Sequence, residues 1–307
     1  MLFHRFATLT RQLRNQHGAM FGMDARIALI VASVLAATGG ITLMSRLDRQ
    51  KVDASEQALV ALREGLNTYY RTQGITELPD NIDMLFQSGI VEDNTFRTDA
   101  WGNPWQYAQV TENIKIEQTD VAMKYAVVYS GGKDGVVDTA PITSGEEFAA
   151  WQTGNDDIGT KYSSRDVELK RIEEYRARAQ LILDKLTTAE SANYLEANSA
   201  CSGTTPPTWC EDEESKNYTQ FNYYPRADAD TSEAVMYYTT VKGNGEATTY
   251  AAGNLNDMQQ LMKDIGLPIA YAKDPWGRTL FYHSNITGRD DPPFSASICY
   301  SSGASCF

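Results

Sequence analysis

From Ile27 to Met44 the chain runs IALIVASVLAATGGITLM, 18 residues without a charge. At about 1.5 Å per residue this stretch just crosses the hydrocarbon core of a bilayer, and one membrane helix is the expectation. The run exceeds the apolar region of about 7–15 residues in a secretory signal peptide, and no small-x-small cleavage site follows it. Downstream, Val52, Leu59, Leu62, Leu66 and Tyr69 recur at seven, three, four and three, the stripe of an amphipathic helix. No proline interrupts residues 27–70, so span and stripe read as one rod of roughly 60 Å, softened at Gly39-Gly40.

After Gly74 the pattern changes to short apolar clusters separated by turn residues, which predicts a compact α+β head. Two stretches of it resemble each other: NIDMLFQSGIVEDNTFRTDAWGNPWQYAQV from Asn81 and NLNDMQQLMKDIGLPIAYAKDPWGRTLFYHS from Asn254. Each sets a short helix before a D-x-W-G turn. Upstream of the second copy, Ile172, Tyr175, Ala179, Ile182 and Leu186 repeat at three and four, so a second amphipathic helix opens that unit. The expected fold is therefore α+β: a long N-terminal membrane and stalk helix (19–72, span 27–44), a first head over 73–162 and a second over 163–307. Each head is an amphipathic helix packed on a small antiparallel sheet.

Length and charge fit this division. A chain of 307 residues suggests about two domains, and a net charge of −13 leaves no surface suited to tracking phosphates, so nucleic acid is not an expected partner. Residues 1–22 hold Arg5, Arg11 and Arg14 and no acid, so the remainder carries −16. Basic residues flank both ends of the apolar run, and the positive-inside rule favours a cytoplasmic N-terminus only weakly. Cysteine supplies the stronger argument. Cys201, Cys210, Cys299 and Cys306 all follow the apolar run, form no C-x-x-C pair, and sit in Ser/Gly/Pro-rich segments. Local bridges 201–210 and 299–306 in an oxidising compartment fit them best, which places the C-terminal bulk outside the cytoplasm.

Asp134, Asp156 and Asp157, with carbonyls from a Gly-rich loop, suit a hard cation taking six to eight oxygens, namely Ca²⁺. Asp-Gly and Asn-Asp pairs are also common turn formers, and the same residues read as two surface turns. Asp290 and Asp291 before Pro292-Pro293, and the run Glu211 to Glu214, read as solvated acids. Trp101, Trp105 and Trp276 suit core packing at strand starts better than a carbohydrate platform. His4, His17 and His283 form no catalytic constellation, and GGKDG lacks the ending of a phosphate loop, so no enzyme is expected.

DRQKVDASEQALVALREGLNTYY (48–70), DAWGNPWQY (99–107), YSGGKDGVVD (129–138) and GNDDI (154–158) together resemble the G-type major pseudopilins of type II secretion systems, within the type IV pilin superfamily. The resemblance covers about residues 18–158. It implies a basic leader (1–18) cut by a prepilin peptidase after Gly18, leaving Ala19 first, or alternatively after Gly22, leaving Met23, with methylation of the new terminus. It makes Asp24 the candidate for the acid that partners a neighbour's N-terminal amine in the assembly, where the residues alone read as well as an interfacial acid beside Arg26, and it implies Ca²⁺ held by Asp134, Asp156 and Asp157 with carbonyls of Gly131 and Val136. The stretch SGEEFAAWQT from Ser144 is inserted between those ligand groups, so the loop must fold back to close the site. In the second unit, SICYSSGASCF lacks the carboxylates, and a Cys299–Cys306 bridge would pin the corresponding loop.

The family's biology would make this chain a structural subunit of a type II secretion pseudopilus or type IV pilus-like filament, with a bulky double head suited to a minor or tip position. Its partners would be other pilin or pseudopilin subunits, an inner-membrane platform protein, an assembly ATPase and the prepilin peptidase. Its place would be the bacterial inner membrane, single-pass, with the heads periplasmic or in an extracellular filament. The other reading is a membrane-anchored periplasmic or surface binding protein that does not polymerise.

Overall fold

The computed structural model describes residues 21–72, 75–116, 119–210, 217–228, 235–242, 249–301 and 304–306, with side chains in 21–42 described only at Ser33. The leader positions Gly18 and Ala19 and the run Glu211 to Glu214 lie outside the described residues, as do the side chains of Met23 and Asp24.

The fold is α+β. Helix α1 (Phe21–Arg71) is one continuous helix of 51 residues, which agrees with the unbroken pattern from 27 to 70. Among the described residues no helix is long and apolar enough to cross a membrane. The expected span falls on side chains outside the described set except for Ser33, Leu43 and Met44. Leu43, Met44 and Leu47 are exposed at 61%, 70% and 50%.

The C-terminal half of α1 is a packing element. Leu59, Leu62 and Leu66 are buried together with Leu85 and Phe86 of the short helix α2 (Asp83–Gln87) and with Ala126, Val128 and Tyr162 of a sheet. That sheet is an antiparallel meander of β1 (Gln106–Ile116), β2 (Thr119–Ser130) and β3 (Ile158–Ser163) in chain order. Gln106 pairs with Tyr129, and Tyr125 with Ser163, which fixes the register. Period-two alternation sends Ala126 and Val128 towards α1, and Val127 and Tyr129 to the opposite face. There they meet Ile142, Phe148 and Trp151. The inserted stretch is therefore a packing element too. Its helix α3 (Gly145–Ala150), capped by the Ser144 hydroxyl accepting from Glu147 N–H, covers the second face of the sheet.

Helix α4 (Arg165–Cys201) follows β3 almost at once. Ile172, Tyr175, Ala179, Ile182 and Leu186, the stripe read from spacing, are all at most 2% exposed. They form one core with Met258, Leu261 and Met262 of α6 (Leu255–Asp264) and with Leu280, Tyr282 and Ile298. The short α5 (Tyr238–Lys242) precedes α6 in the chain. Its Tyr238 packs with Ala197, Phe221 and Tyr223 in a smaller cluster beneath the end of α4. A second antiparallel sheet, β4 (Phe281–His283), β5 (Ser297–Ser301) and β6 (Ala304–Cys306), again runs in chain order. Both disulfides form as expected, Cys201–Cys210 and Cys299–Cys306, the latter directly across β5 and β6.

The two D-x-W-G turns are built alike. The Asp99 Oδ1 accepts from Trp101 N at 2.9 Å and Asn103 N at 2.7 Å; the Asp274 Oδ1 accepts from Trp276 N at 3.0 Å and Arg278 N at 2.8 Å. Asp99 N donates to Asn103 O and Asp274 N to Arg278 O, and each turn glycine donates back to its aspartate carbonyl. Gly102 at φ +92 and Gly277 at φ +84 occupy the left-handed region where a side chain is strained. In each case a 3-10 turn precedes the motif, Asn94–Arg97 and Ile269–Ala272. The tryptophans are half-buried rather than fully packed. Trp105 donates its indole N–H to Phe96 O, and Trp276 donates to Glu168 Oε2 at 2.6 Å.

Glu168, 1% exposed, joins the two halves of the chain. Besides Trp276 it accepts from the Tyr70 hydroxyl at 2.7 Å and from Arg171 at 2.9 Å, and Arg171 also donates to the carbonyls of Tyr70 and Ile75. Removing one partner of a buried ion pair leaves the other charge uncompensated, a loss of about 3–5 kcal/mol. Glu168→Ala should therefore lower the stability of the chain by that order in urea unfolding. Asp83→Ala, which breaks the exposed Arg97–Asp83 pair, should cost less than about 1 kcal/mol; equal losses would remove Glu168 from its linking role.

Candidate metal centre

The loop after β2 and the turn before β3 meet, as closing a site requires. Gly132 holds φ +55, and a Cβ there would stand 2.1 Å from the Asp156 carbonyl oxygen, so only glycine lets the two strands of the loop touch. The Asp156 Oδ2 accepts from Lys133 N at 3.0 Å and Asp134 N at 3.1 Å. The Asp134 Oδ1 accepts from Val136 N at 2.8 Å, an Asx-type turn, and the Gly131 carbonyl accepts from Gly135 N. All five residues singled out in the sequence, Gly131, Asp134, Val136, Asp156 and Asp157, thus lie in one loop cluster.

Asp157 differs from its neighbours. It is 5% exposed, and its Oδ2 accepts from Asp138 N, Thr139 N and the Thr139 hydroxyl. Its Oδ1 is buried without a hydrogen-bond partner among the described residues. A buried carboxylate oxygen without a donor is costly, and such groups ask for an explanation. Burial pushes the nearby Tyr129 phenol up, and the Asp157 carboxylate adds to that shift.

Several residues that build this loop carried no signal in spacing. Asn103, which lies directly after the first D-x-W-G, donates its side-chain amide to Asp99 Oδ2 and to the Gly132 carbonyl at 2.6 Å. The Ser130 hydroxyl also donates to Asp99 Oδ2, at 2.7 Å. Lys133 reaches α1 in an ion pair with Asp48 at 2.6 Å, and Ala100 N donates to the Ser55 hydroxyl of the same helix. Loop, turn and long helix are one hydrogen-bonded unit.

Compared with known protein families, curated proteins and solved structures, the chain matches none. The donor set fits a hard cation in kind: carboxylates and carbonyls, no sulfur or imidazole, and one buried oxygen left over. Among the described residues no group of three or more Asp, Glu, His or Cys side chains converges as a metal cluster. The carboxylates are instead engaged by backbone N–H groups. In the second half of the chain Asp290 and Asp291 are exposed.

Asp157→Ala strips the acceptor from three donors of the 138–139 segment. The expected cost is about 1.5–3 kcal/mol in urea unfolding, with faster protease cleavage near Thr139; an unchanged unfolding midpoint would show that Asp157 is not the loop's anchor.

Proposed function

We propose that this chain is a pilin-like subunit of the type II secretion pseudopilin kind, anchored by the apolar part of α1 and carrying two pseudopilin-like heads in tandem. The observation that carries the reading is the single helix of 51 residues whose first part is apolar in sequence and whose last part is the spine of a head. A helix that leaves Leu43, Met44 and Leu47 exposed needs lipid or neighbouring helices to cover them. The tandem arrangement is supported by the order helix, short helix, 3-10 turn, D-x-W-G turn and three-stranded meander, which occurs twice, the second time with two further 3-10 turns and α5 inserted after the long helix. In the second occurrence a disulfide stands where the first has its carboxylate loop. The role is mechanical: the subunit waits in the bacterial inner membrane with its heads outside the cytoplasm, loses its leader, and joins a filament as a minor or tip component. Partners on this reading are other pilin-like subunits, a platform protein, an assembly ATPase and the prepilin peptidase.

The test is the intact mass and N-terminal peptide map of the membrane-extracted protein from cells with and without a prepilin peptidase. A peptidase-dependent terminus at Ala19 or Met23 is the expected result. An unchanged Met1 in both strains would sink the filament reading and favour an anchored binding protein.

Calcium belongs to the same proposal. Asp157 through its unpartnered oxygen, with Asp134, Asp156 and carbonyls of Gly131 and Val136, would hold the ion. Bound there, it would supply positive charge that keeps the loop in one conformation where subunits meet. Titrating Ca²⁺ into chelator-treated protein should raise the thermal midpoint; at a free concentration about 100 times Kd the gain is about 2.7 kcal/mol. Asp157→Asn should lose the response, and a response equal to that of the unaltered chain would place any bound ion elsewhere.

A further inference from the structure

The end of α1, the exposed face of α4 and the loop carrying the second D-x-W-G turn enclose a cleft of about 830 Å³. That lies inside the range of roughly 300–1,000 Å³ typical of pockets that enclose drug-sized ligands. Most charges around it are already matched. Arg171 is held by Glu168 and two carbonyls. Arg178 pairs with Glu174 at 2.6 Å, donates to the Lys273 carbonyl and lies over the Tyr271 ring. Asp274 pairs with Arg278 at 2.7 Å.

Three cations remain. Arg71 of α1, Lys170 of α4 and Lys273 of the loop line the cleft and are exposed, and their side chains carry no ion pair or hydrogen bond among the described residues. The one acid lining the cleft in the same condition is Asp166. The cleft therefore presents an excess positive charge in a chain whose net charge is −13. Three elements contribute one cation each, so a ligand that satisfies all of them must extend across the cleft. Tyr271 and Pro275 supply apolar wall between the charges. Such a combination suits a short extended segment with adjacent carboxylates better than a single phosphate or carboxylate. Because the chain's overall charge repels acids, a local positive cleft holds an acidic partner in register.

We propose that this cleft docks an acidic peptide segment of a neighbouring protein, with Arg71, Lys170 and Lys273 as its counter-charges. The site needs only the geometry of this chain and does not depend on whether the chain polymerises or binds Ca²⁺.

The test is fluorescence polarisation of fluorescein-labelled tetraglutamate and tetraglutamine with the detergent-solubilised full chain at low and at physiological salt. Tetraglutamate should bind, more weakly as salt rises, and tetraglutamine should not. The double variant Lys170→Glu, Lys273→Glu should weaken tetraglutamate binding by about tenfold or more, while Lys170→Arg, Lys273→Arg retains it. Both side chains are exposed, and matching circular dichroism and thermal midpoints verify that both variants fold. Absent binding at low salt, or equal binding by the charge-reversed variant, overturns the proposal. So does displacement of the peptide by inorganic phosphate at equal concentration, which would make the cleft a small-anion site.

Discussion

One buried carboxylate holds this chain's two halves in a single arrangement. Glu168 is almost fully removed from water, and a charge so placed survives only if its oxygens are engaged. Its three donors come from different places: the Tyr70 hydroxyl at the end of α1, Arg171 one turn along its own helix, and the Trp276 indole in the second D-x-W-G turn. Burial, followed by the Glu168 charge, pushes the Tyr70 phenol well above its ordinary value, so it stays protonated and donating. Arg171 then gives its other nitrogen to the Tyr70 and Ile75 carbonyls, and the first of these is a group that the end of a helix leaves without an intrahelical partner. A change in the angle between α1 and α4 would break several charge-assisted bonds together.

That cluster, with the Asp120 N–H donating to the Tyr300 hydroxyl, ties together two otherwise separate cores. The first core is the α1 stripe against α2 and the β1–β3 meander; the second is the α4 stripe against α6 and the β4–β6 meander. Apolar contact alone would let such units slide, because hydrophobic burial is non-directional. The Glu168 cluster adds direction. The cleft beside it follows from the same geometry, since α1 ends where α4 begins its exposed face and the D-x-W-G loop closes the third side.

Residues that act through periodicity were legible in the sequence. The stripes at three and four in α1 and α4, the continuous helix through Gly39-Gly40, the short helices before each D-x-W-G turn and both disulfides agree with the structure. Residues that act through a tertiary partner were not. Glu168 sits between apolar positions of a charged helix, and nothing in DVELKR distinguishes it from its solvated neighbours. Asn103 and Thr139 are ordinary turn residues until the loop folds back onto Asp99 and Asp157. The carboxylate loop was half legible: its residues do come together, but their carboxylates serve as acceptors for backbone N–H groups. A single sequence cannot rank that use against a cation. The inserted stretch after Ser144 looked like an obstacle to closing the loop; its apolar side chains instead cap the outer face of the sheet.

The loop also rests on α1, through contacts of unequal strength. Lys133 is bound to Asp48, and the first D-x-W-G turn to Ser55, so the loop rests on the helix about two to four turns before the Leu62–Leu66 core. A load along α1 would reach the sheet through buried leucines that cannot shift without opening cavities, each worth several kcal/mol. The exposed Lys133–Asp48 pair, screened by water and salt, yields far more easily. The helix–core contact is thus the stiff element and the Lys133–Asp48 pair the compliant one. Order in the loop rests on its internal bonds, above all those to Asp157, and on the D-x-W-G turn that ties it to Ser55 of the helix, more than on the exposed Lys133–Asp48 pair.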